Sequence, residues 1–371
     1  MSRPADRCPG VFSAHPAADG YLARIRLPGG RIEPAQLEAL AGVAARFGDA
    51  HLELTSRGNL QVRGITDLDA VAEIVVAAGL IPTPSHERVR NLQLSALSGR
   101  RGGNADLRPV LGDLDARLRA DPVLADLPAR FLFGLDDGRG DILAQLPDAG
   151  LLAHSPDDAE LVIGGVPTGR SVPVPDGAVI VLAAARAFLD DRTDDWRVAD
   201  LADRPTLDAL LGDLAAVSYP PPAQPSEPLV GWLPQDDGLV TLGAVVAHAR
   251  LPARTAEFLA AIGTDVCVTP NREILVCDLS EDVADTVLRV LAPLGLIFDE
   301  ASPWARVSSC TGSPGCARSN ADVRGDLELR IHERPVTGRE HWCGCERRCG
   351  LPHGPVTAVV ATPTGYRVGS G

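Results

Sequence analysis

Five of the chain's eight cysteines lie in two short segments near its C-terminal end, SSCTGSPGC (308–316) and HWCGCERRCG (341–350). Cys310 and Cys316 are spaced C-x5-C, and Cys345 and Cys349 are spaced C-x3-C, with Cys343 just ahead of that pair. Thiolates are soft, anionic ligands, and four of them drawn from two loops form the usual ligand set of a [4Fe-4S] cluster. Gly312, Gly315, Gly344 and Gly350 let backbone N–H groups approach the sulfurs, and Arg347 and Arg348 add positive charge beside an anionic centre. A zinc site, which usually shows C-x2-C to C-x4-C pairs, is the second reading, and a disulfide is the third. Cys267 and Cys277 stand ten residues apart in apolar stretches and read as small buried hydrophobes. Cys8 has no assigned role.

The elements that hold these loops belong to a chain of 371 residues, long enough for two or three domains. Hydrophobic residues make up 45% and charged residues 23%, the balance of a globular protein with buried cores, and only 4% is aromatic, so alanine-rich helices must fill much of the interior. No apolar run has the length of a membrane span, and the polar start MSRPADRCPG does not resemble a secretory signal, so the expected location is the cytoplasm, with no membrane partner. A net charge of -14 argues against a nucleic-acid surface. All 35 basic side chains are arginine, which excludes Schiff-base and P-loop lysine chemistry and leaves planar guanidinium groups suited to carboxylates and phosphates. No G-x-G-x-x-G stretch joins a strand to a helix, so electrons are expected from a separate donor.

The chain repeats itself. LELTSRGNLQVRG (52–64) and VCVTPNREILVCD (266–278) each read as strand, turn, strand, and each is flanked by helical stretches. RNLQLSALSGRRGGNADLR (90–108) aligns without gaps on RVSSCTGSPGCARSNADVR (306–324), so Leu94 faces Cys310 and Arg100 faces Cys316. One copy carries sulfur and the other does not. The expected fold is α+β, with a ferredoxin-like half-domain at 8–84, a larger cluster-free α+β domain at 85–217 and a proline-rich linker at 218–228. A second half-domain at 229–299 and a cluster-binding domain at 300–371 follow.

ARIRLPGGRI (23–32), LTSRGNLQVRGI (54–65), VRNLQLSALSG (89–99), LPARF (127–131) and the two cysteine loops occur in an order that resembles the sulfite and nitrite reductase superfamily. That resemblance spans nearly the whole chain and implies two half-domain repeats built around a siroheme site with a [4Fe-4S] cluster beside it. It assigns Cys310, Cys316, Cys345 and Cys349 as the ligands, because the family places a small polar residue where Cys343 stands. It also implies tetrapyrrole binding by Arg24, Arg26, Arg57, Arg63, Arg90, Asn91 and Arg130.

Within the superfamily, DRCPGVFSAHPAADGYLARI (6–25) and CTGSPGC (310–316) are most similar to a branch of aerobic cobalamin biosynthesis. What this implies is an O2-dependent hydroxylation of precorrin-3A at C20 with lactone formation. The implied cofactors are one [4Fe-4S] cluster and a mononuclear non-haem iron, and the implied electron donor is NADH through a reductase, or a ferredoxin. The alternative is a siroheme-dependent sulfite or nitrite reductase. Those reductases carry a Lys-x-Lys pair where this chain reads ARFLFGLDD (129–137), and two apolar side chains cannot hold an inorganic anion. His332, Glu333, His341 and His353 lie near the cysteine loops without the 2-His-1-carboxylate spacing of an iron site, so neither iron ligands nor catalytic residues are assigned.

Overall fold

A computed structural model describes residues 8–223 and 228–370, so Gln224–Glu227 of the expected linker lie outside the described residues. The chain divides into two compact units. One comprises Pro9–Ile25, Arg31–Leu80 and Pro228–Gly371, and therefore holds both strand-turn-strand repeats together with the cysteine loops. The other is built mainly from Ile81–Glu227 and also takes Arg26–Gly30, where Gly29 sits against Leu94 and Leu111.

In the first unit each repeat forms an antiparallel sheet whose central hairpin is the predicted one. His51–Leu54 pairs with Leu60–Ile65 across a turn in which Thr55 Oγ1 accepts from the backbone N–H groups of Arg57 and Asn59. Gly58, at φ 66°, supplies the left-handed residue that the turn requires. The helix Pro34–Phe47 begins with proline at its first turn and with Gln36 Oε1 accepting from Glu33 N–H, and it buries Leu37, Leu40, Ala41 and Ala44 on one face.

The two sheets exchange edge strands. Arg250–Pro252, from the second repeat, pairs with His51–Leu54 of the first, while Arg31–Ile32 of the first pairs with Val266–Val268 of the second. Each exchange covers an otherwise open sheet edge, so the two half-domains form one body.

The cysteine loops emerge from a four-stranded sheet in the order Val307–Ser309, Glu340–Cys343, Thr357–Thr362, Gly365–Ser370. Its first three strands are parallel and the last is antiparallel. In the second unit, Leu92–Leu94, Phe133–Asp136, Ala149–Ala153 and Asp158–Ile163 repeat this pattern of two parallel pairings and one antiparallel pairing. A fifth strand, Val166–Pro173, completes that sheet. Its core includes Phe131, Phe133 and Phe188, whose rings lie 4.9 and 5.1 Å apart in edge and tilted packing. The duplicated α+β architecture expected from the sequence is the one observed. Among the described residues no helix is long and apolar enough to cross a membrane.

Candidate iron-sulfur site

The two cysteine loops are locked to each other by their backbones. Cys310 N–H donates to Trp342 O at 2.9 Å, and Asn320 N–H donates to Gly344 O at 2.8 Å. Within the first loop, Cys316 N–H closes a turn on Gly312 O at 2.8 Å. Gly344 N–H points at the Cys310 sulfur, 3.1 Å away. A side chain could not occupy position 344, since a Cβ there would lie 2.0 Å from Ser319 Oγ.

The sulfurs act on one another electrostatically. Burial pushes the Cys310 thiol up, and the Cys316 and Cys345 sulfurs add to this against the N–H groups of Gly344 and Gly312. Burial also raises the Cys349 thiol, again reinforced by Cys310 and Cys345. Ionising several of these thiols together requires a positive centre among them. Among the described residues, however, no three cysteine sulfurs lie within 4.8 Å of one another. Cys310, Cys316, Cys345 and Cys349 offer four soft thiols, the donor set that a [4Fe-4S] cluster takes.

Cys343 differs from its neighbours. It is fully buried against Ala358 and Val360, and its thiol is pushed up to about 12, by burial first and the Cys310 charge second. We expect Cys343→Ser to retain the cluster's broad visible absorbance after anaerobic purification; a colourless variant would return Cys343 to the ligand set.

The loops are also held from behind. His341 is buried, and burial with the charge of Arg272 lowers its pKa to about 3, so the ring is neutral. Its Nε2–H donates to Cys349 O at 3.0 Å, which leaves Nδ1 to accept the Ser308 hydroxyl at 2.7 Å. His341 is therefore a brace of the Cys349 loop, with both ring nitrogens engaged, and His332 and Glu333 sit exposed at the end of the helix Val323–Glu333.

The seven residues expected to grip a tetrapyrrole divide between the units. In the cysteine-bearing unit, Arg24 donates to Gln61 Oε1 at 3.1 Å, and Arg57, in the hairpin turn, is half-buried. Arg63 is buried and committed: its Nε and Nη2 meet Asp19 at 3.0 Å each, and Nη2 also reaches Gly315 O at 2.9 Å, beside Cys316. In the other unit, Arg26 Nε donates to Asn91 Oδ1 at 3.3 Å, and the Asn91 amide donates to Ala129 O at 2.8 Å. Arg90 meets both oxygens of Asp115 at 2.7 and 3.0 Å, so the carboxylate it grips is one of the chain's own. Arg130 lies exposed with its guanidinium carbon 4.4 Å from the centre of the Trp196 ring.

Sequence reasoning missed the counterpart of the C-x3-C pair. Ser309 pairs with Trp342, and its repeat equivalent Gln93 pairs with Gly134, so the second strand of the pattern is offset by 342 − 134 = 208 residues. Subtracting 208 places Cys345 on Asp137, Cys349 on Asp141 and Arg347 on Arg139. Asp136, Asp137 and Asp141 each present an oxygen within 4.8 Å of the others. The central charge there is Arg139, which donates to both oxygens of Asp137 at 2.7 Å. Asp136 accepts from the N–H groups of Gly138, Gly140, Ile142 and Leu143, so an ion pair and a backbone cradle fill this copy. The signal was a D-x3-D in register with C-x3-C, legible only once strand pairing fixed the offset.

Residues 15–78 match the nitrite/sulfite reductase ferredoxin-like half domain. The chain is similar to a precorrin-3B synthase of Sinorhizobium, at 26% identity over 97% of this chain and 81% of that protein. It is also similar to a ferredoxin-nitrite reductase of Synechococcus elongatus, at 26% identity over 92% of this chain and 76% of that protein. The solved structure of the NirA protein of Mycobacterium tuberculosis superposes with a TM-score of 0.72 at 19% identity, covering 94% of this chain and 73% of that one, and so shares its fold.

Proposed function

We propose that this chain, which carries a half domain of the nitrite/sulfite reductase family and shares that architecture, is an oxidoreductase of aerobic cobalamin biosynthesis. In this reading it hydroxylates precorrin-3A at C20 with O2 and closes a lactone to give precorrin-3B. Cys310, Cys316, Cys345 and Cys349 hold the [4Fe-4S] cluster, which when bound relays electrons from an external donor. The observation that carries the choice of a tetrapyrrole as substrate, over an inorganic anion, lies at Phe131–Phe133. The resemblance puts the cationic anion-reducing pair of the reductases there, but in this chain Phe131, Leu132 and Phe133 are buried in an apolar core. An uncompensated cation could not replace them without severe cost.

We assign carboxylate contacts to Arg24 and Arg57, supported by their partial exposure in the cysteine-bearing unit. One oxygen atom of O2 enters the substrate and the other leaves as water, with two electrons and two protons from the donor. The similarity to the Sinorhizobium protein, which extends over 97% of the chain, supports the same reading.

The test is incubation of anaerobically purified protein with precorrin-3A, a reductant and 18O2. Incorporation of a single labelled oxygen into the product is expected. An unlabelled product, or purified protein showing sharp macrocycle bands together with sulfite or nitrite reduction, would overturn the hydroxylase reading in favour of a siroheme reductase.

A further inference from the structure

We infer that Arg272 is the counter-charge of the cluster, a positioning residue that fastens the Cys349 loop and raises the cluster's reduction potential. This rests on the cluster reading above. Arg272 occupies the turn between Val266–Val268 and Ile274–Leu279 with φ 65°, and it is only 9% exposed. Its Nη2 donates to the carbonyl of Gly350, the residue after Cys349. Gly350 permits this approach, because a Cβ there would stand 2.9 Å from the same nitrogen.

Arg272 has no carboxylate within ion-pair distance among the described residues, and the charge that bears on it most, that of Arg339, is also positive. Glu53 acts on it only at longer range and is itself bonded to Arg324 at 2.5 Å. Burial, followed by the charge of Arg339, lowers the Arg272 pKa to about 10, which still leaves it protonated at neutral pH. A buried cation without a partner is strongly unfavourable unless a negative charge faces it. Four thiolates outweigh the positive charge of an iron-sulfide core, so the ligated centre is anionic and each added electron makes it more so. A guanidinium bonded to the carbonyl of Gly350, the residue after Cys349, therefore favours the reduced form.

Arg63 supplies an internal control. It fastens the other loop in the same way, through Gly315 O beside Cys316, but Asp19 already neutralises its charge. Fastening and charge are thus separated between the two loops.

The experiment is a redox titration of the cluster, followed by electron paramagnetic resonance, on the full chain purified without oxygen. R272Q is expected to shift the midpoint to more negative potential. R272K, which keeps the charge, and the double variant D19N/R63Q, which removes a neutral pair, are expected to stay near wild type. A wild-type midpoint in R272Q, or an equal shift in D19N/R63Q, overturns the proposal. Should R272Q assemble no cluster, R272K decides: a cluster of wild-type potential supports the charge role, and a clusterless R272K overturns it. Wild-type protein without any cluster signal refutes the underlying cluster reading instead.

Discussion

Cys310→Ala is expected to purify without the cluster's absorbance and with its C-terminal sheet destabilised. Cys310 has two roles. Its sulfur receives the Gly344 N–H at 3.1 Å, and its side chain packs against the small core of Val307, Val323, Leu327, Trp342 and Val359. That core is thin, so in the proposed site the energy of metal ligation would add to the backbone bonds that join the two loops. Truncation removes one thiolate of the proposed ligand set and the sulfur to which the second loop donates. The expected outcome is loss of the visible chromophore and a several-fold rise in proteolytic cleavage between residues 310 and 350, measured side by side with wild type. A variant with full iron content and an unchanged spectrum would remove Cys310 from the ligand set.

The second large effect is expected at Glu53, which sequence reading passed over as one more residue of a strand. Its carboxylate is buried and receives Arg324 Nη2 at 2.5 Å and Gln61 Nε2 at 2.6 Å, with Arg250 Nε at 3.6 Å. Burial alone would raise its pKa, but the charges of Arg324 and Arg63, together with the hydrogen bonds from Arg324 and Gln61, hold it below the usual carboxylate range. Glu53→Gln leaves Arg324 without its carboxylate, and breaking a buried pair from one side costs about 3–5 kcal/mol.

Because the folded-state pKa of Glu53 is depressed, its contribution to stability is fully present above the ordinary carboxylate range and is lost as pH falls through the folded value. The gap in melting temperature between wild type and Glu53→Gln should thus be widest at neutral pH and narrow on acidification. A gap that stays constant from pH 7 to pH 4 would show that Glu53 acts by packing alone.

Arg324 lies in the first turn of the helix Val323–Glu333, so this pair ties the first hairpin to the segment that follows the first cysteine loop. Arg63 on Gly315 O and Arg272 on Gly350 O likewise join the half-domain repeats to the two cysteine loops. The repeats thus serve as the frame that positions the loops.

Some of this was legible in the sequence. The two strand-turn-strand repeats and the ungapped alignment of 90–108 on 306–324 pointed to the α+β class and the duplication, and the cysteine spacing with the family resemblance supplied a candidate ligand set. These signals are local: side-chain type, periodicity and turn chemistry act over a few residues and survive as patterns along a chain.

What the tertiary structure decided was which charges meet. Arg63 and Arg90 looked like arginines awaiting a substrate, yet each found a carboxylate of its own chain, Asp19 at 44 residues' separation and Asp115 at 25. The exchange of edge strands, the bond from Arg272 to Gly350 O and the register that sets Asp137 and Arg139 against Cys345 and Arg347 all depend on long-range pairing. A guanidinium's role is set by the dielectric and the counter-charge around it, and both are created only when distant segments pack.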